Sequence, residues 1–146
     1  MAIANLHETL LFYTLRRNVL NVDIMKLQSE LTLMTAERAD YNSILSARKT
    51  DCRNRWKAIY DADEETYKAD GYHNYAEMAD YLEEIDLIEA EIQEELERIS
   101  TKEEQIKNQI TTDDTELKEI DAYTESMKSM LTSNIQSDFN FGLNGG

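Results

Sequence analysis

Few residues in this chain have both the type and the spacing that chemistry needs. Asp61, Asp63 and Glu65 imitate the opening of a calcium loop, in which alternate side chains gather oxygens around a hard cation. Such a loop needs glycine at its sixth position to turn and a bidentate glutamate at its twelfth to close. Here those positions are Thr66 and Tyr72, so a solvated acidic helix face is expected instead of a calcium site. His7 and His73 lie near opposite ends of the first predicted helix, and neither has the carboxylate and histidine spacing of helical di-iron sites. Cys52, the single cysteine, falls on an apolar seam where a thiol packs like a small aliphatic group, whereas a catalytic thiol wants exposure and a neighbouring base. There is no glycine-rich phosphate loop. Glutamate pairs such as Glu94 and Glu95 have no apolar pocket to raise a carboxyl pKa. The expectation is a non-enzyme that holds no metal and no cofactor.

What remains is shape, and the composition bears on it directly. The 146 residues include no proline and only four glycines, three of them in the last five positions (Gly142, Gly145, Gly146), so Gly71 is the sole interior helix breaker. No stretch resembles a linker, and one structural unit over residues 1–146 is expected. The formal net charge is −15, unevenly spread: residues 1–60 hold 9 basic against 6 acidic residues, and residues 61–146 hold 6 against 24. So acidic a field repels nucleic acid and anionic lipid, which argues against both as partners. No basic segment followed by an unbroken apolar run opens the chain, since Arg16 and Arg17 interrupt the first hydrophobic stretch. No signal peptide or membrane insertion is therefore expected, and the reading is a cytoplasmic protein or one exported by a signal-independent route.

The elements follow from caps and periodicity. Asn5 with Glu8, and Asn74 with Glu77, each set a capping side chain three residues before an acid, the pattern that satisfies free amides at a helix start. The intervening turn signal, Asp70-Gly71-Tyr72-His73-Asn74, predicts a first helix over about 6–69, a turn at 70–74 and a second helix over about 75–134, leaving a tail at 135–146. Steps of four and three trace one seam from Leu6 through Leu20, Leu31, Leu45 and Cys52 to Ile59, and another from Met78 through Leu82, Ile92, Ile99 and Ile120 to Leu131. Every charged residue on the first seam is arginine, and every one on the second is an acid. A short connection would then set Ile59 opposite Ile85 and pair Arg55 with Glu89; a loop longer by one heptad pairs Arg48 with Glu89 instead. The predicted fold is all-α: a long antiparallel two-helix coiled-coil hairpin, a rod of roughly 90 Å at 1.5 Å per residue, bundling with other chains. Thr111–Thr115 is a weak helix former that admits a kink or a third helix, although the heptad phase runs through it unshifted.

Two regions exceed what a hairpin needs. Phe12, Leu15, Val19 and Val22 form a second apolar row beside the first seam, and Phe139, Phe141 and Leu143 alternate in the tail as in an extended strand. These residues are the expected contacts with a partner or a second copy. In length and hairpin outline the chain is similar to the soluble stalk proteins of flagellar and type III export gates and to prefoldin subunits, and its apposed hydrophobic termini resemble those of flagellin-like and needle subunits. The leading expectation is a structural or assembly protein, a scaffold or filament subunit, that self-associates or docks a helical partner protein. The export outline implies the alternative, an accessory or chaperone-like hairpin that binds an export ATPase or a client.

Overall fold

The computed structural model describes residues 2–144, and among them there are helices and turns but no strands. Helix α1 spans Ile3–Ala62, α2 spans Glu64–Ala69, a single 3-10 turn covers Tyr75–Glu77, and α3 spans Ala79–Asn144. The chain is all-α, as a proline-free sequence with one interior glycine dictates. Several boundaries differ from expectation. Asn5 lies inside α1, not at its cap, because the helix already begins at Ile3 and the Leu6 amide donates to the Ala2 carbonyl. The predicted first helix is interrupted at Asp63, whose carboxylate accepts the Thr66 hydroxyl at 2.8 Å, a local bond that competes with helix continuation. Asn74 and Glu77 both accept backbone amides but not each other's, the Asn74 carboxamide accepting from the Ala76 amide at 2.9 Å and Glu77 from the His73 amide at 2.7 Å. They stabilise the 3-10 turn; α3 starts only after Met78, which is extended.

The chain forms two compact units, Met1–Leu31 with Gln105–Gly146, and Thr32–Glu104. In the first, Leu6 and Leu20 of α1 are fully buried, Leu10, Tyr13, Ile24 and Leu27 are half-buried between them, and α3 contributes buried Ile120 with half-buried Ile106, Ile110, Leu117, Met127 and Leu131. These are the seam positions read from the sequence. Asp113 on that seam is buried too, and the Gln109 carboxamide donates to it at 2.7 Å. Thr111–Thr115 stays helical, with no break or third helix. The hydroxyls of Thr111, Thr112 and Thr115 each donate to the carbonyl four residues back, which accommodates weak helix formers without ending the helix.

In the second unit the α1 and α3 segments run in opposite directions: Arg38, Arg48, Lys49 and Arg55 pair in turn with Glu103, Glu91, Glu89 and Glu84. Here the seam departs from the strict heptad. The inward row in α1 runs Tyr41, Leu45, Lys49, Cys52, Trp56 and Tyr60, and in α3 it runs Ile85, Ile88, Ile92, Leu96 and Ile99. In α1 two four-residue steps follow one another from Cys52 through Trp56 to Tyr60, and in α3 two run from Ile88 through Ile92 to Leu96; Leu45 and Leu96 line a common groove. The inward position therefore moves on by one residue in α1 after Cys52 and back by one in α3 before Ile92, where Ile88 replaces Glu89. Tyr60 is accordingly buried at 5% exposure while the expected Ile59 is 37% exposed.

The connection is also longer than the short loop expected. Gly71, with φ of +95°, ends α2: its amide donates to the Lys68 carbonyl and the Tyr72 amide to the Tyr67 carbonyl. The Tyr60 hydroxyl donates to the Tyr72 carbonyl at 3.0 Å and its ring stacks on Tyr67, so the base of α1 holds the turn directly. Because α1 breaks at Asp63, α2 joins the 3-10 turn in the connection, and Arg55 faces a residue five positions nearer the turn than expected, about one and a half helical turns. The Arg55–Glu89 pair is thereby corrected: Arg55 meets Glu84, and Glu89 meets Lys49.

Ile99 is fully buried whereas Leu87 is 58% exposed. Ile99→Ala is expected to cost about 2–4 kcal/mol and Leu87→Ala to stay within about 0.5 kcal/mol of wild type. Urea titrations of both variants check this, and equal losses would contradict the placement of the seam.

Candidate functional site

Three places carry residue types that could act on something outside the chain. At the first, in the second unit, three donors converge on one carboxylate. Arg55 grips Glu84 with both terminal guanidinium nitrogens, and the Trp56 indole N–H donates to the same carboxylate at 2.6 Å. The Cys52 thiol, one turn earlier in α1, is fully buried. Hydrogen bonding by Arg55, then by Trp56, holds the Glu84 carboxyl down at about 2. Burial first, and then the Glu84 charge, push the Cys52 thiol up, away from the reactive thiolate. A carboxylate that is fully engaged and a thiol held protonated are poor bases and nucleophiles, so the cluster locks two helices together. The sequence reading missed it, since it sought aliphatic residues on the seam and ignored that Trp56 four residues after Cys52 would share its face.

The acidic stretch disperses. Asp61 lies at the end of α1, Asp63 is spent on Thr66, Glu64 pairs with Lys68, and Glu65 is exposed. No three metal-ligating side chains gather in one place among the described residues, and no helix there is long and apolar enough to cross a membrane.

The third place is the N-terminal part of α1, in the first unit. Phe12, Leu15, Val19 and Val22 are between 48% and 63% exposed, and Leu11 and Met25, which the sequence reading passed over, are exposed beside them. At 3.6 residues per turn this stripe lies roughly 150° around the helix from the row that packs on α3. It is therefore not beside the seam, as the spacing had suggested, but nearly opposite. Leu11 and Met25 sit at its margin on the same helical projection, which is the signal that would have found them. Between Thr9 and Val22 the only charged residues are Arg16 and Arg17, and both reach toward α3, Arg16 to Glu116 at 2.9 Å and Arg17 to Asp121 at 3.1 Å. From the stripe an aromatic path continues round the side of the pair: Phe12 meets Tyr13 edge-on at 5.6 Å, and Tyr13 stacks on Tyr123 of α3 at 5.9 Å. Tyr123 and Met130, seven residues apart on α3, are themselves exposed.

The tail is corrected. Residues 135–144 continue α3 as helix, so the two-residue alternation of a strand does not operate there. Phe139 is 64% exposed and follows exposed Ile135 by one turn; the side chains of Phe141 and Leu143 lie outside the described residues. The chain matches no protein-family model, no curated protein and no solved structure.

Glu84 carries the pH dependence. A carboxyl held at about 2 in the folded state and near 4.3 when unfolded contributes stability that is present above the unfolded value and is lost as pH falls toward 2. Wild type should therefore exceed Glu84→Gln in urea midpoint at pH 6, and most of the difference should be gone by about pH 2, the remainder vanishing below it. A gap that persists at low pH would show that packing, not charge, links these side chains. In the same cluster, the Cys52 thiol should react with a chromogenic disulfide reagent far more slowly in buffer than in denaturant, by about 100-fold or more.

Proposed function

We propose that this is a non-enzymatic structural or assembly protein, an antiparallel two-stranded coiled coil that self-associates through the apolar surface of its first unit. The observation that carries the reading is the exposure of Phe12, Leu15, Val19 and Val22 on the side of α1 turned away from α3. A helix with apolar stripes on two opposite sides belongs in the middle of a packed layer, yet this one is covered on one side only. Fully burying side chains of this size contributes roughly 1.5–3 kcal/mol apiece, so four of them in water leave a considerable drive toward association. The coiled-coil component is supported by the four-and-three spacing of buried residues in both units and by the arginine-to-glutamate pairs along their flanks.

The rest of the surface supports an assembly role over a catalytic one. The grooves along the helix pairs are open, and that at Leu45, Ala90 and Leu96, about 470 Å³, is lined otherwise by Lys49, Asp86, Glu89 and Gln93, of which Lys49 and Glu89 neutralise each other. A surface this acidic also stays dispersed by self-repulsion except where an uncharged stripe interrupts it.

Sedimentation equilibrium from low to high micromolar concentration tests the reading. Wild type should run as an oligomer, and Val19→Asp, at an exposed position, should lower the association constant about 100-fold while leaving the thermal midpoint of the dissociated chain unchanged. A chain that stays monomeric across that range would refute self-association, and stoichiometric binding of an unfolded client by that monomer would favour the chaperone-like alternative.

A further inference from the structure

The stripe on α1 has an order that selects its occupant. Continuing its own four-and-three spacing outward from Phe12, Leu15, Val19 and Val22 leads to Glu8 on one side and Lys26 on the other. Both are exposed, and neither takes part in an ion pair among the described residues. The row thus reads acid, four apolar residues, base, over a length of about 27 Å.

Resting on the reading that the chain self-associates, we infer that the occupant is a second copy of α1, laid antiparallel across a twofold axis that passes between Leu15 and Val19. In that arrangement Leu15 faces Val19 of the second copy, Phe12 faces Val22, and Glu8 faces Lys26, each pair occurring twice by symmetry. Every apolar residue of the row meets an apolar residue, large against small, and both terminal charges meet their opposites. The parallel alternative sets Glu8 against Glu8 and Lys26 against Lys26, and like charges apposed at the rim disfavour it. A closed twofold contact of this kind uses the same patch on both copies, as isologous dimers do.

Charge also decides which helix makes the contact. Within the first unit the α1 segment carries three acids and three bases (Glu8, Asp23, Glu30; Arg16, Arg17, Lys26), whereas residues 105–146 carry seven acids against three lysines. Pairing through α1 brings neutral segments together, while pairing through α3 would bring two acidic ones into contact. The margin residues add to the same face: in this register Leu11 lies across from Asp23 and Met25 across from Thr9, so Met25 gains cover at the rim where the neighbouring polar groups stay wet.

Crosslinking and charge exchange test the geometry separately from association itself. In a Cys52→Ala background, a mixture of Leu15→Cys and Val19→Cys chains should form a disulfide-linked heterodimer within minutes of mild oxidation, while Leu15→Cys alone links at least tenfold more slowly. Glu8→Lys should weaken the dimer roughly five- to tenfold, because it places lysine against lysine at both ends, and adding Lys26→Glu to the same chain should restore wild-type affinity. Faster linkage of Leu15→Cys to itself would overturn the proposal in favour of parallel pairing. A dimer seen by sedimentation that gives neither the heterodimer nor the charge rescue would overturn this geometry and leave self-association standing. A monomer under all conditions would remove both.

Discussion

Two helices laid side by side can cover only one stripe on each other, and that limit governs everything else in this protein. With few residues available for a core, the chain places its best aliphatic side chains, Leu6, Leu20, Ile92, Ile99 and Ile120, on the stripe that is covered. The remaining surface of each helix faces outward whatever its chemistry. Most of it is polar or charged, which suits solvent. The row on α1 is an exception, and its position nearly opposite the packed seam means that no rotation of α1 against α3 could bury both.

Polar residues on or beside the seam restrict how the helices can slide. Arg38 and Glu103 pair at 3.1 Å with the carboxylate side chain only 16% exposed, and Arg38 also donates to Ser100. Exposed ion pairs contribute little to stability, but a half-buried one that loses its partner leaves a charge poorly hydrated. Sliding α3 by a heptad would break this pair and also strip Glu84 of its donors. The apolar seam thus supplies cohesion, and the arginine, tryptophan and tyrosine bonds supply alignment.

Much of the fold was legible because a proline-free chain has few alternatives to long helices, and Gly71 marks the reversal with the positive φ its lack of a side chain permits. In the first unit the spacing identified the buried positions from Leu6 to Leu27 and from Ile106 to Leu131. In the second it failed by one residue, since an aliphatic count favours Ile59 over Tyr60. Tyr60 can be buried because its hydroxyl finds the Tyr72 carbonyl, a partner distant in sequence that no periodicity reveals. The register failed for a related reason: α1 breaks at Asp63, whose carboxylate takes the Thr66 hydroxyl, so α2 becomes part of the connection. The stripe was found from spacing alone, while the alternation of Phe139 with its neighbours misled, since a helix continuing from Ser129 offers those residues no reason to change conformation.

The indole of Trp56 is the only one in the chain, and it sits against Glu84 in the second unit, well away in sequence from the α1 stripe. Its fluorescence is therefore a private signal of that locality. The first unit, with Tyr13 stacked on Tyr123, has only tyrosine to report on it. Excitation at long wavelength consequently follows the melting of one region without contribution from the other, so the molecule comes with an internal means of asking whether its halves come apart together or in sequence.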